Sequence, residues 1–337
     1  MTASVVPTSF RSAARRAYSW HPPLMTLAAA TVVLTVVALA GYLVDPRELV
    51  GVPLWEKPLK FAISTFLYAV TFAWLISLLT RGRRFAWLVG TVSAVGLVIE
   101  LVVIVGLQVA GQTSHFNVST PFAAAMWAVM ATSIAVVWVA ALVVAFALLR
   151  APLGDPARSL AIRAGAFIGV IGMALAFLMT SPTAQQLADY QGIVGAHAVG
   201  VPDGGPGLPL LGWSTVAGDL RIPHFVGMHA LQLLPLGLLA LELLARRVTP
   251  LRSARVRRDL VAIATVAYLA VLGLLTWQAL RGQSIVAPDT ITAVVTAGLA
   301  AAVSAAVALV LAREVRRPAV DAEPAVPSPA PTPTAVG

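Results

Sequence analysis

The sequence predicts an all-α integral membrane protein, a bundle of about eight transmembrane helices with the N- and C-termini cytoplasmic. Three observations carry that prediction. Hydrophobic residues make up 59% of the 337 residues and charged residues 11%, with a mean hydropathy of +0.88; soluble domains hold about 45–50% and 25%. Apolar runs of about 20 residues recur along the chain, each long enough to cross about 30 Å of hydrocarbon as a helix. Barrel strands would instead be about 10 residues long with alternating polarity. Finally, the basic residues between the runs fall into two unequal groups, which orients the bundle.

In chain order, the first run is 24–44. Its Ala38-Leu39-Ala40 has the small-residue pattern of a cleavage site. The run is longer than the roughly 7–15 apolar residues of a signal core, so it reads as an uncleaved helix. The second run, 59–80, opens Glu56-Lys57-Pro58-Leu59-Lys60, and the third, 85–108, carries Glu100 in an otherwise apolar stretch. The fourth, 122–149, follows Thr120-Pro121, an N-cap and a proline suited to the first helical turn. The fifth is 164–181; the sixth, 224–245, follows Asp219-Leu220-Arg221-Ile222-Pro223 and contains Pro235. The seventh is 260–280, and the eighth, 290–312, has Asp289 as its N-cap.

Residues 24–312 thus form the transmembrane domain, preceded by a cytoplasmic segment, 1–23, in which His21 reads as an interfacial residue beside Trp20. Residues 313–337, rich in Pro and Ala beyond a basic stop, read as a disordered cytoplasmic tail. The long connection 182–223 combines Gly204-Gly205-Pro206-Gly207 with Leu210, Leu211 and Trp213. A loop of that length with apolar content reads as a functional lid, and its start, 183–193, as a short interfacial helix.

With these spans, 18 of the 23 Lys and Arg residues lie on one side, from Arg11, Arg15 and Arg16 to Arg313, Arg316 and Arg317. The other side holds only Arg47, Lys57, Lys60, Arg221 and Arg281, with four of the five histidines. The positive-inside rule places the arginine-rich side in the cytoplasm and the histidine-rich side outside, as expected of a plasma (inner) membrane protein. The net charge of +9 is then explained by topology and anionic lipid rather than nucleic acid. The absence of cysteine excludes disulfides, thiolate metal sites and thiol catalysis.

Helix-start grammar accounts for the prolines and caps of the outer side, but not for the cations and histidines beside them. Lys57, Lys60, Ser64, Tyr68 and Thr71 recur at three- and four-residue spacing, so they form one stripe running from the outer surface into the bilayer. Glu100 costs at least about 2.5–3.5 kcal/mol at the bilayer centre, so it must be partnered or line a cavity; it is the candidate catalytic or proton-relaying group. His229 and Gln232 share a helix face, whereas His224, five residues before His229, points about 140° away. Gln112, His115 and Asn117 introduce the fourth span, and Asp219, Arg221 and Arg281 flank later ones. His197 reads as structural or lid-borne.

Two chemistries fit. The N-termini of four descending helices, with Lys57, Lys60, Arg221 and Arg281, favour a small anionic ligand or a lipid head group. His115, His224 and His229 are the candidate metal ligands and permit zinc or a b-type haem as cofactor, although no H-x-x-E-H or H-E-x-x-H signature is present. No Walker loop is present, which excludes an ATP-driven pump.

The strings Trp55-Glu56-Lys57-Pro58-Leu59-Lys60-Phe61, Gln112-Thr113-Ser114-His115-Phe116-Asn117, Pro202-Asp203-Gly204-Gly205-Pro206-Gly207 and His224-Phe225-Val226-Gly227-Met228-His229 resemble those of uncharacterised bacterial multi-pass membrane proteins. That resemblance covers most of residues 50–285 and implies a membrane bundle but no activity. The H-x-x-x-H pair of the ceramidase and progestin-receptor class of membrane hydrolases is missing, as is the paired-histidine pattern of haem A synthase. Three functions stay open: a metal- or haem-dependent protein, a small-solute transporter or channel with Glu100, Tyr68 and Gln232 along its path, and a structural or sensory membrane protein.

Overall fold

A computed structural model describes residues 10–316 of the chain. A short helix α1 (Phe10–Tyr18) leads into α2 (Pro22–Val44), followed by α3 (Glu56–Ser77), α4 (Arg83–Val109), α5 (Pro121–Leu148) and α6 (Pro156–Ala174). After the small helix α7 (Ala184–Ala188) come α8 (Arg221–Leu244), α9 (Ala254–Leu280) and α10 (Thr290–Val315). Eight of these helices are long and apolar enough to cross a membrane, the architecture of a multi-pass membrane protein. The only strands among the described residues are two-residue pairs, β1 (Glu48–Leu49) with β2 (Val52–Pro53) and β3 (Ala198–Val199) with β4 (Gly218–Asp219).

Capping residues set where the helices begin. Thr120, Asp155, Ser253 and Asp289 each accept a backbone N–H of the first turn through the side chain, and prolines follow Thr120 and Asp155 directly. Two boundaries therefore differ from the hydropathy expectation. The fifth helix starts at Pro156 rather than 164 and tightens into a 3-10 turn, Leu175–Met179; the seventh starts at Ala254 rather than 260. A cap acts on the backbone, so the helix runs on through charged turns that hydropathy assigns to loops. The expected helix in 183–193 is α7, closed by a capping box between Thr183 and Gln186. Residues 317–337, and with them nearly all of the expected disordered tail, lie outside the described residues, as do 1–9.

Small residues let the helices approach. A side chain on Gly172 of α6 would collide with the backbone of Gly227 and Met228 on α8, and one on Gly165 would lie 2.8 Å from the Ala230 carbonyl. The α6–α8 crossing is thus a backbone-to-backbone contact, the small-residue packing expected between membrane helices. Gly41 gives room to Trp55, and Gly90 gives room to the ring of His21. His21 is not the interfacial residue expected from its neighbour Trp20: it is fully buried, accepts Leu24 N–H at Nδ1 and donates from Nε2 to the Trp87 carbonyl at 2.9 Å. It caps α2 while packing on α4, and burial holds its pKa below the ordinary histidine value.

The main core gathers α2 to α6 around Phe72, Leu75, Leu97, Val137, Val144 and Ile162. Helices α8 and α9 pack on α6, and α10 lies outermost against α9. At the arginine-rich end, Arg163 donates to the Leu148 and Ala151 carbonyls, Arg158 pairs with Glu242, and Arg257 lies 3.6 Å from Asp155. Helices α3 and α8 do not pack along their lengths. They face one another across a cavity below the histidine-rich end.

Candidate functional site

At the histidine-rich end the loop 110–120 meets the long connection that precedes α8. In the loop 110–120, Gly111 and Phe116 adopt left-handed backbone (φ 73° and 62°). For Phe116 that conformation costs about 1–3 kcal/mol and persists only where the surroundings enforce it. They do: Phe116 is buried, packs edge-on against Trp127 at 5.2 Å and meets the His197 ring at 4.9 Å. Its neighbours Asn117 and Ile193 form a bridge to the long connection. Between the rings of Phe61, Phe116 and Trp127 the loop presents His115.

His115 is the centre of the site. Its Nδ1 lies 3.0 Å from Lys57 Nζ and 3.2 Å from Ser114 Oγ, and its Nε2 lies 3.7 Å from Glu100 Oε1. Burial, then the nearby positive charge of Lys57, then His197, hold the His115 pKa well below the ordinary histidine value. A neutral ring with lysine as donor at Nδ1 carries its proton on Nε2, the nitrogen on the Glu100 side but 3.7 Å from its carboxyl group. The row Lys57–His115–Glu100 thus links a lysine amine, an imidazole and a carboxyl group. Lys57 makes no ion pair among the described residues, and the buried Oε2 of Glu100 has no hydrogen bond.

The remaining cations are braced. Lys60 pairs with Glu56 at 2.6 Å and donates to the Leu211 carbonyl at 3.2 Å. Arg221 grips the buried Asp219 through Nε and Nη2 and donates to the Gly212 carbonyl. Asp219 also accepts the N–H of Ser214, so it fastens the long loop rather than presenting a free carboxylate. Gly212 (φ 66°) lies where Glu56, Lys60 and Arg221 converge, each within 3.4–3.6 Å of a side chain placed there. The loop thereby lies over the cations as a cover. Farther along it, Asp203 accepts from the backbone of His197 and Ala198 and meets the His197 ring at 2.6 Å. Burial opposes ionisation of Asp203, but these hydrogen bonds prevail and bring its pKa to about 2.

Other expected site residues have different surroundings. Asn117 accepts from Ser119 and donates to the Thr113 carbonyl, which shapes the loop. Gln112 is exposed. Arg281 pairs with Asp289 at 2.6 Å and stacks over Trp277 at the α9–α10 turn. The three histidines do not form the expected metal site: among the described residues no group of three or more His, Cys, Asp or Glu stands so as to hold a metal ion. Each ring has a partner of its own at Nδ1: Lys57 for His115, the Gly172 carbonyl for His224 and Gln232 for His229.

The polar stripe of α3 continues inward. Tyr68 meets Ser93 of α4 at 3.2 Å, and Thr71 accepts from Gln232 of α8 at 3.2 Å. Sequence reasoning missed the buried Ser93 and Gln108 of α4; Gln108, two turns beyond Glu100, has its Oε1 unbonded. Its signal was an amide near the end of an otherwise apolar run. Comparison with known proteins adds no functional assignment, since no family model, curated protein or solved structure matches the chain.

Proposed function

We propose that the protein is a proton-linked carrier of a small anionic solute in the plasma membrane, with the histidine-rich end outside and both termini in the cytoplasm. The observation that carries this reading is the row Lys57–His115–Glu100. Lys57 supplies a positive charge that no carboxylate neutralises at contact distance, and the N-terminal ends of α3 and α8 add positive dipole ends beside it. Glu100, with one oxygen unbonded in a water-poor setting, is suited to take and release a proton through the neutral ring of His115. Lys60 and Arg221 join Lys57 when the loop that carries Gly212 moves aside. Orientation rests on the segregation of arginine to the opposite end. Braced rings without a common metal geometry favour this reading over a metal-dependent one.

The test uses the purified full chain in proteoliposomes with an imposed pH gradient and a panel of small carboxylates and inorganic phosphate. The expected result is gradient-driven accumulation of at least one of them. Lys57→Gln abolishes binding of that anion, and Glu100→Gln keeps binding but ends the dependence on the pH gradient. Accumulation that ignores both substitutions, or no accumulation of any anion in the panel, overturns the proposal.

A further inference from the structure

The cavity between α3, α5, α6 and α8 has a volume of about 30 Å³ and is lined by Ser64, Tyr68, Val144, Gly169, His229 and Gln232 among others. A water molecule needs roughly 10–15 Å³ on this measure and two to four polar partners, so the space suits one or two waters if the partners exist.

They do, and the hydrogen bonds define what they ask for. Thr71 gives its hydroxyl proton to the Leu67 carbonyl, so toward Gln232 it accepts, and the Gln232 amide nitrogen is the donor. Gln232 Oε1 therefore faces His229 Nδ1, which must carry the ring proton. That leaves His229 Nε2 as a bare acceptor. Pro235 has no N–H to give to the carbonyl of Leu231, another lining residue, so a second acceptor loses its helix partner. His229 and Leu231, which carry these two acceptors, and Ser64 are among the residues that line this water-sized space. Toward the arginine-rich end the lining turns apolar with Phe72, Leu75 and Val144.

We infer that this cavity is a hydrated site within the membrane, holding water bonded to His229 and the Leu231 carbonyl and filled from the histidine-rich end. It rests on the proposed function only for the direction of filling. It makes the α3–α8 interface the inward continuation of the path, closed below by hydrocarbon.

The chain has no cysteine, so single cysteines report directly. Ser64→Cys and His229→Cys are compared with Ile63→Cys, whose parent side chain sits one residue away on the exposed face of α3. Silver ion, scarcely larger than water, is added from one side of reconstituted vesicles, and the thiols left are counted with a maleimide after denaturation. Ser64→Cys and His229→Cys are expected to react about tenfold or more faster than Ile63→Cys, because a thiol in hydrocarbon forms little thiolate, and only from the histidine-rich side. Rates equal to that of Ile63→Cys overturn the inference, and reaction only from the arginine-rich side overturns its direction. Hydroxyl-radical labelling of the unsubstituted protein needs no variant. Met173 and Met228, which line the cavity, should be oxidised, while the buried Met130 outside it is not; equal labelling sinks the proposal. Neither measurement requires an anion, so a dry cavity and a failed transport assay are separate results.

Discussion

A buried oxygen without a hydrogen bond costs about 1–3 kcal/mol, and Glu100 Oε2 bears that cost in the middle of an apolar helix. A leucine there would remove it. Glu100→Leu is expected to leave stability unchanged or raise it by about 1–2 kcal/mol while ending proton-linked transport. Denaturant titration beside the flux assay checks both halves; a large loss of stability would instead mark Glu100 as a structural brace. The histidines make a second prediction. His21, His115 and His197 are all held below the ordinary value, foremost by burial. On unfolding each takes up a proton at about pH 6.5, which the folded state resists. Stability is therefore complete above that pH and falls as pH drops from about 6.5 toward the lower folded values. His115→Gln, which keeps an acceptor for Lys57, should flatten this slope in unfolding experiments between about pH 7.5 and 5. At this scale the sequence exposed Lys57, His115 and Glu100 singly, through their cost in a membrane. Their mutual contact was hidden, because it joins residues 58 and 15 positions apart through a loop whose left-handed turn at Phe116 leaves no hydropathy signal.

At the scale of elements, apolar length located the spans because crossing hydrocarbon is a property of a segment alone. The ends of α6 and α9 were shifted because capping, not hydropathy, starts a helix. Which face of each helix would pack was only partly legible. The α3 stripe pointed inward as its spacing required, yet nothing in the pattern of α6 or α8 distinguished Gly172 from Gly237. The structure does: Gly172 meets the backbone of α8, while nothing lies within 4 Å of the Cβ position at Gly237. Gly172→Ala is expected to destabilise by about 1–3 kcal/mol through overpacking, and Gly237→Ala to be neutral or stabilising by up to about 1 kcal/mol. Parallel unfolding of the two variants checks the contrast; equal effects would remove the tight crossing from the account.

For the whole molecule, the proposed orientation predicts opposite labelling at the two ends. Gly205→Cys, in open space in the long loop, should react with an impermeant maleimide on intact cells. Arg247→Cys, exposed between α8 and α9, should react only after permeabilisation; the reverse pattern would invert the bundle. Hydrophobic length and charge asymmetry are sums over local sequence, so the chain by itself determined the number of long apolar helices and the separation of arginine from histidine among the segments between them. The contacts of the site are not such sums. They depend on how far each helix turns and how closely it approaches its neighbours, which glycine crossings, caps and the fastened loop decide together. For that reason only the tertiary structure could bring His115 to Lys57 and Glu100 and give His224 and His229 other partners.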